Sequence, residues 1–167
     1  DFVVVKMVSS GTNFHWSTYL GGSGDEFFWN SPFFSTVKIT ANVKEQAIIS
    51  GVTRSNNFPV TPDALQKKNR STYYWAINLS ITKLNFDASK ILYATYFGGD
   101  RFEYPGAITA KKVGCVSYIL SGGLTASSDY PTTKGVFRED SKSTGTGWSY
   151  SGYVTKFRDT LYTEKID

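Results

Sequence analysis

Tyr19-Leu20-Gly21-Gly22 returns 77 positions later as Tyr96-Phe97-Gly98-Gly99, and the reading of the fold starts from that repetition. The residues before each copy align as well: Phe14-His15-Trp16-Ser17-Thr18 stands against Ile91-Leu92-Tyr93-Ala94-Thr95. Each copy reads as a strand that ends in a Gly-Gly turn and an acidic loop, with Asp25-Glu26 in the first and Asp100 and Glu103 in the second. Two glycines at a strand end imply a positive φ or the close approach of another segment.

Other landmarks repeat in the same order. Lys6 in Val5-Lys6-Met7 matches Lys83 in Thr82-Lys83-Leu84, and Lys83 matches Lys156 in Thr155-Lys156-Phe157. Ile49-Ser50-Gly51 aligns with Leu120-Ser121-Gly122 at a spacing of 71, and Phe58-Pro59-Val60-Thr61 with Tyr130-Pro131-Thr132-Thr133 at 72. Strand patterns fill the period at 34–40, 46–53, 75–84 and 91–97, and again at 107–111, 116–124 and 150–157. The stretches 1–8 and 14–20 precede them. Residues 34–40 alternate, so one face is apolar, and 46–53 is apolar at its centre, as a strand buried on both faces would be. No long amphipathic helix interrupts the series; a short helical turn is expected at 63–66. Four strands per period of this length predict an all-β fold of the β-propeller type, with four-stranded antiparallel blades in an incomplete ring. Residues 1–33 are the outer strands and loop of a first, partial blade, 34–106 a complete blade, and 107–167 a third, partial one.

The composition agrees. Aromatic residues make up 16% and there are fifteen glycines, as a β-rich, turn-rich chain requires. Hydrophobic residues at 40% exclude a disordered tail. No apolar run approaches the roughly 18 residues of a helical membrane span. The net charge of +4 is spread out, densest at Lys67-Lys68 and Lys111-Lys112, which reads as a solvated surface and not as a nucleic-acid patch. The single cysteine, Cys115, excludes an intrachain disulfide and a cysteine-based metal site; it reads as a small buried hydrophobe near a hairpin turn. A start at Asp1 reads as a processed product or a piece of something longer.

Ile81-Thr82-Lys83-Leu84, Leu92-Tyr93-Ala94-Thr95-Tyr96-Phe97-Gly98-Gly99, Ile49-Ser50-Gly51-Val52-Thr53 and Asn57-Phe58-Pro59-Val60-Thr61-Pro62-Asp63-Ala64-Leu65-Gln66 together resemble the SBBP family, the bacterial β-propeller repeat. The chain departs from that pattern where an Asp-x-x-Gly hairpin is expected: it has Ala41-Asn42-Val43-Lys44-Glu45 and Lys112-Val113-Gly114-Cys115 instead. Its blades are also longer. The resemblance implies a scaffold in a large secreted or cell-surface protein, with no shared catalytic residues.

No catalytic constellation is visible, and the expectation is a non-enzymatic chain. His15, the only histidine, occupies the slot of Leu92 and reads as a strand-face residue; a nucleophile–histidine triad would need more. Asp25, Glu26, Asp100 and Glu103 are weak candidates for Ca²⁺, since one or two acids per loop fall short of its six to eight oxygen ligands. No other cofactor is implied. Asn69-Arg70-Ser71 and Asn78-Leu79-Ser80 match the glycosylation sequon. Phe27, Phe28, Trp29, Tyr73, Tyr74, Arg101, Tyr104 and Trp148 gather in loops expected at one end of the blades, and clustered aromatics with arginine suit an interface or a sugar platform. The partner expected is a protein or further blades of the same protein. The alternatives are a glycan, bound by a lectin-like ring of several copies, and a role as the non-catalytic part of a hydrolase.

Overall fold

A computed structural model of the chain describes residues 1–27, 37–72, 77–141 and 149–159. Among these residues there is no helix, and nine strands form three antiparallel sheets. The first sheet pairs β1 (Phe2–Met7) with β2 (Phe14–Leu20). The second runs β3 (Val37–Ala41), β4 (Ala47–Thr53), β5 (Asn78–Leu84) and β6 (Ile91–Phe97), each beside its neighbour in sequence. The third joins β7 (Glu103–Val113), β8 (Val116–Thr125) and β9 (Ser151–Asp159). All seven residues of β4 are buried, as its apolar centre predicts. Residues 63–66 do not make the expected helical turn; Ala64 N donates to Thr61 O at 3.0 Å and closes a single turn.

The sequence repeat is a repeat of register. In β1–β2, Phe2 pairs with Leu20 and Lys6 with Trp16; in β5–β6, Leu79 pairs with Phe97 and Lys83 with Tyr93. Both hairpins shift register at the same step, between Lys6 and Met7 and between Lys83 and Leu84. The three matched lysines lie on β1, β5 and β9. One alignment needs correcting. Thr53 pairs with Asn78 and Thr125 with Ser151, so β4 and β8 are related by 72 positions, not 71, and the counterpart of Gly51 is Gly123. The Leu-Ser-Gly match had slipped by one residue, which in a strand exchanges the two faces.

Two further expectations change. β7 is longer than the predicted 107–111 and begins at Glu103, so a boundary at 106/107 falls inside a strand; Gly106 lies at a register shift that lets the pairing continue. Cys115 is exposed, because it sits in the two-residue turn between Val113 and Val116 with Gly114 at φ 58°.

The sheets stack face to face. Phe2, Val4 and Leu20 of the first pack on Ala47, Ile49, Leu84, Ala94 and Tyr96 of the second. The ring of Phe2 lies against Gly51, where a Cβ would collide with it. Leu79, Ile81 and Phe97 of the second sheet pack on Tyr153 and Phe157 of the third, with Tyr130 between them. A lysine reaches across each junction: Lys6 Nζ lies 2.5 Å from Glu45 Oε2, and the buried Lys83 Nζ 2.5 Å from the buried Asp159 Oδ1.

Candidate functional site

The loops predicted to share one end do meet there. Ser23 N and Ser23 Oγ donate to Asn57 Oδ1, at 2.8 and 2.9 Å, and Gly24 N donates to Ser55 Oγ at 2.8 Å. In the second copy Asp100 N donates to Asp129 Oδ1 at 2.9 Å and Arg101 N to Ser127 Oγ at 2.8 Å. Asp129 Oδ2 in turn accepts from Arg70 at 2.7 Å.

Beneath each pair of loops lies a buried glutamate. Glu103 Oε1 accepts from Gly99 N at 3.3 Å, Thr125 Oγ1 at 3.0 Å and Ser127 Oγ at 2.5 Å, and its Oε2 accepts from Asn78 Nδ2 at 3.0 Å. Glu26 Oε1 accepts from the matching groups: Gly22 N at 3.1 Å, Thr53 Oγ1 at 3.2 Å and Ser55 Oγ at 2.5 Å. The amino group of Asp1, which stands in the register position of Asn78, is 3.0 Å from Glu26 Oε2. The glycines are needed here. A Cβ at Gly22 would come within 2.5 Å of Ser55 Cβ, and one at Gly99 within 2.5 Å of Ser127 Cβ; Gly98 has φ 153° and faces Glu103.

The four weak Ca²⁺ candidates are placed as follows. Glu26 and Glu103 are tied into turns, and their Oε1 atoms already meet three donors each. Asp25 bonds with Arg54 at 3.4 Å. Asp100 lies beside Asp129, and burial together with that neighbouring carboxylate pushes its pKa up. Among the described residues no group of three or more His, Cys, Asp or Glu converges as a metal site. Burial also raises the Glu103 carboxyl to about 7, against the opposing effect of its hydrogen bonds. Asn78 of the second sequon is buried, donates to Gly99 O and accepts from Arg70 N, so its amide is no glycan acceptor in the folded chain.

The aromatic platform is only partly visible. Phe28, Trp29, Tyr73, Tyr74 and Trp148 lie outside the described residues. Phe27 is 51% exposed and Arg101 half-buried, at the loop end. Tyr104 does not belong to a surface: it is 2% exposed, packed with Val52 and Ile77, its ring edge-on to Tyr150. Its place at the start of β7 turns it into the core.

A second arrangement, not foreseen from the sequence, surrounds Tyr96. Its hydroxyl donates to Ser55 O at 2.7 Å and accepts from Phe58 N at 2.9 Å. The connection after β4 continues along the outer edge of β6: Thr61 N donates to Ala94 O at 3.0 Å, and Tyr96 N to Gln66 O at 3.1 Å. β6 is thus held between β5 and this segment. The signal was present in the repeated Phe/Tyr-Pro-x-Thr and Thr-Tyr pieces, but nothing local says that they touch. No family model, curated protein or solved structure matches the chain.

Proposed function

We propose that this chain is a non-enzymatic run of β-propeller blades that serves as a scaffold or protein-binding segment of a secreted or cell-surface protein. The observation that carries the reading is that each outward face repeats an inward one. Val3, Val5 and Tyr19 stand in register with Ser80, Thr82 and Tyr96, which are buried against the first sheet, yet all three are exposed. At the other end Val154 and Lys156 are exposed, in register with the buried Ile81 and Lys83. Exposed apolar side chains gathered on one face suit an interaction surface, and the natural occupant of such a face is another sheet of the same kind. Glu26 and Glu103 are engaged in holding turns, which suits a structural role for them.

The test is the mass of the purified 167-residue chain by light scattering, with hydrogen exchange on β1 and β9. Association that rises with concentration, with protection of both strands in the assembly, is the expected result. A stable monomer with both strands strongly protected would overturn the reading.

A further inference from the structure

We infer that Asp100 and Asp129 form a proton-operated clamp: the two carboxyls lock the loop end of the second sheet to that of the third when they share one proton, and release it when they do not. The first copy of the loop supplies the comparison. There Ser23 stands in the place of Asp100, and Asn57 in the place of Asp129, at the spacings of 77 and 72. The main-chain amides make the same bond in both copies: Ser23 N donates to Asn57 Oδ1 at 2.8 Å, and Asp100 N to Asp129 Oδ1 at 2.9 Å. The side chains differ. The Ser23 hydroxyl donates to Asn57 Oδ1 at 2.9 Å, so a neutral donor meets a neutral acceptor. Asp100 brings a carboxyl to a second carboxyl, and its buried Oδ1 has no hydrogen-bond partner. The fit is close, since a Cβ added at Gly99 would collide with Asp129 Oδ1.

One proton between the two carboxyls restores the donor that the serine hydroxyl provides in the first copy. The charged groups around the pair come from three segments. Arg70, in the connection after β4, donates to Asp129 Oδ2 at 2.7 Å and offsets one of the two negative charges. Arg101, next in the loop, favours the Asp100 anion, and Glu103 lies beneath the same loop, bonded to Gly99 N. Burial and the neighbouring Asp129 oppose that anion and hold the Asp100 carboxyl above the ordinary aspartate range. The folded chain therefore binds this proton more tightly than the unfolded one. The clamp is complete at the pH where an ordinary aspartate titrates, and it is lost as the pH rises through the raised pKa of Asp100. Its release reaches beyond the pair. Asp100 O accepts from Thr72 N at 3.0 Å, and Arg101 N donates to Ser127 Oγ at 2.8 Å, so the same loop fastens the connections after β4 and β8. The Ser23–Asn57 contact holds no ionisable group and stays closed throughout.

The test sets the whole chain beside the double variant Asp100→Ser/Asp129→Asn, which carries the pair of the first copy, and beside Asp129→Asn alone. Hydrogen-exchange protection of the amides at positions 72, 100 and 101 is followed from pH about 4 to about 7, with Ser23 and Gly24 as the internal reference, and the aspartate carboxyl ¹³C shifts are followed alongside. In the unaltered chain protection of the three amides should fall severalfold, with the midpoint of the Asp100 carboxyl titration. In the double variant it should stay level, as at Ser23 and Gly24 in every chain. Glu103 is present throughout, so its own titration cancels in the comparison. Asp129→Asn should return the Asp100 carboxyl to the ordinary range, and it provides the comparison where the double variant does not fold. An Asp100 carboxyl that titrates in the ordinary range in the unaltered chain overturns the inference. So does an equal loss of protection in the chain and its variants. Protection that stays level with pH only when millimolar Ca²⁺ is present would also overturn it, since the pair would then be closed by a metal ion and not by a proton.

Discussion

Glu103 sets the terms at the scale of the residue. Its carboxyl titrates near 7 in the folded chain against 4.5 ordinarily, because burial disfavours the anion more than four hydrogen bonds favour it. The folded state therefore holds this proton more tightly than the unfolded one. Stability from this group is full below pH 4.5, falls as the pH rises towards 7, and is level above, a loss of up to about 3 kcal/mol. Urea denaturation across that range should show the fall, and Glu103→Gln should remove its share of the slope. A Glu103 carboxyl ¹³C titration with a midpoint in the ordinary range would contradict it. Tyr96 and Tyr19 give a paired prediction. Tyr96→Phe strands Ser55 O and Phe58 N in the interior and should cost about 1–3 kcal/mol. Tyr19→Phe changes a residue 75% exposed and should stay within about 0.5 kcal/mol in the same denaturation experiment.

At the scale of the element, the hairpins were legible and their surroundings were not. A strand ending in Gly-Gly is a local pattern, and it placed β2 and β6 to the residue. The burial of Glu26 and Glu103 depends on Thr and Ser side chains of strands and connections far along the chain, so the acids looked like loop surface. Tyr104 was misplaced for a related reason: β7 starts before Pro105, inside what composition marks as a loop. The slip at Gly122 arose because Gly122-Gly123 offers two partners for Gly51, and only strand pairing chooses between them. The lysine ties allow a sharp comparison. Lys83→Met leaves Asp159 buried without its cation and should cost about 3–5 kcal/mol. Lys6→Met breaks a solvent-exposed pair and should cost no more than about 1 kcal/mol, both read from thermal or urea unfolding.

At the scale of the whole molecule, association should depend on faces that contribute little to the folded core. Val3→Asp and Val154→Asp each place a charge on an exposed position, so they should leave the unfolding midpoint nearly unchanged and reduce association in light scattering. Loss of folding in either variant would show that these faces are already covered.

The lysine ties have one more consequence. Lys6 reaches from the first sheet to the second and Lys83 from the second to the third, always towards the C-terminal neighbour. Lys156, next in the series, holds its ammonium 3.8 Å from the centre of the Tyr118 ring on its own sheet. The stack therefore has a direction, with a head and a tail that differ. Contacts between unlike patches do not stop at two members, as a symmetric pair would. They close into a circle when the turn per step divides a full rotation, and otherwise run on as a thread. The angle between successive sheets, and not the strength of any bond, then decides whether such a molecule is finite.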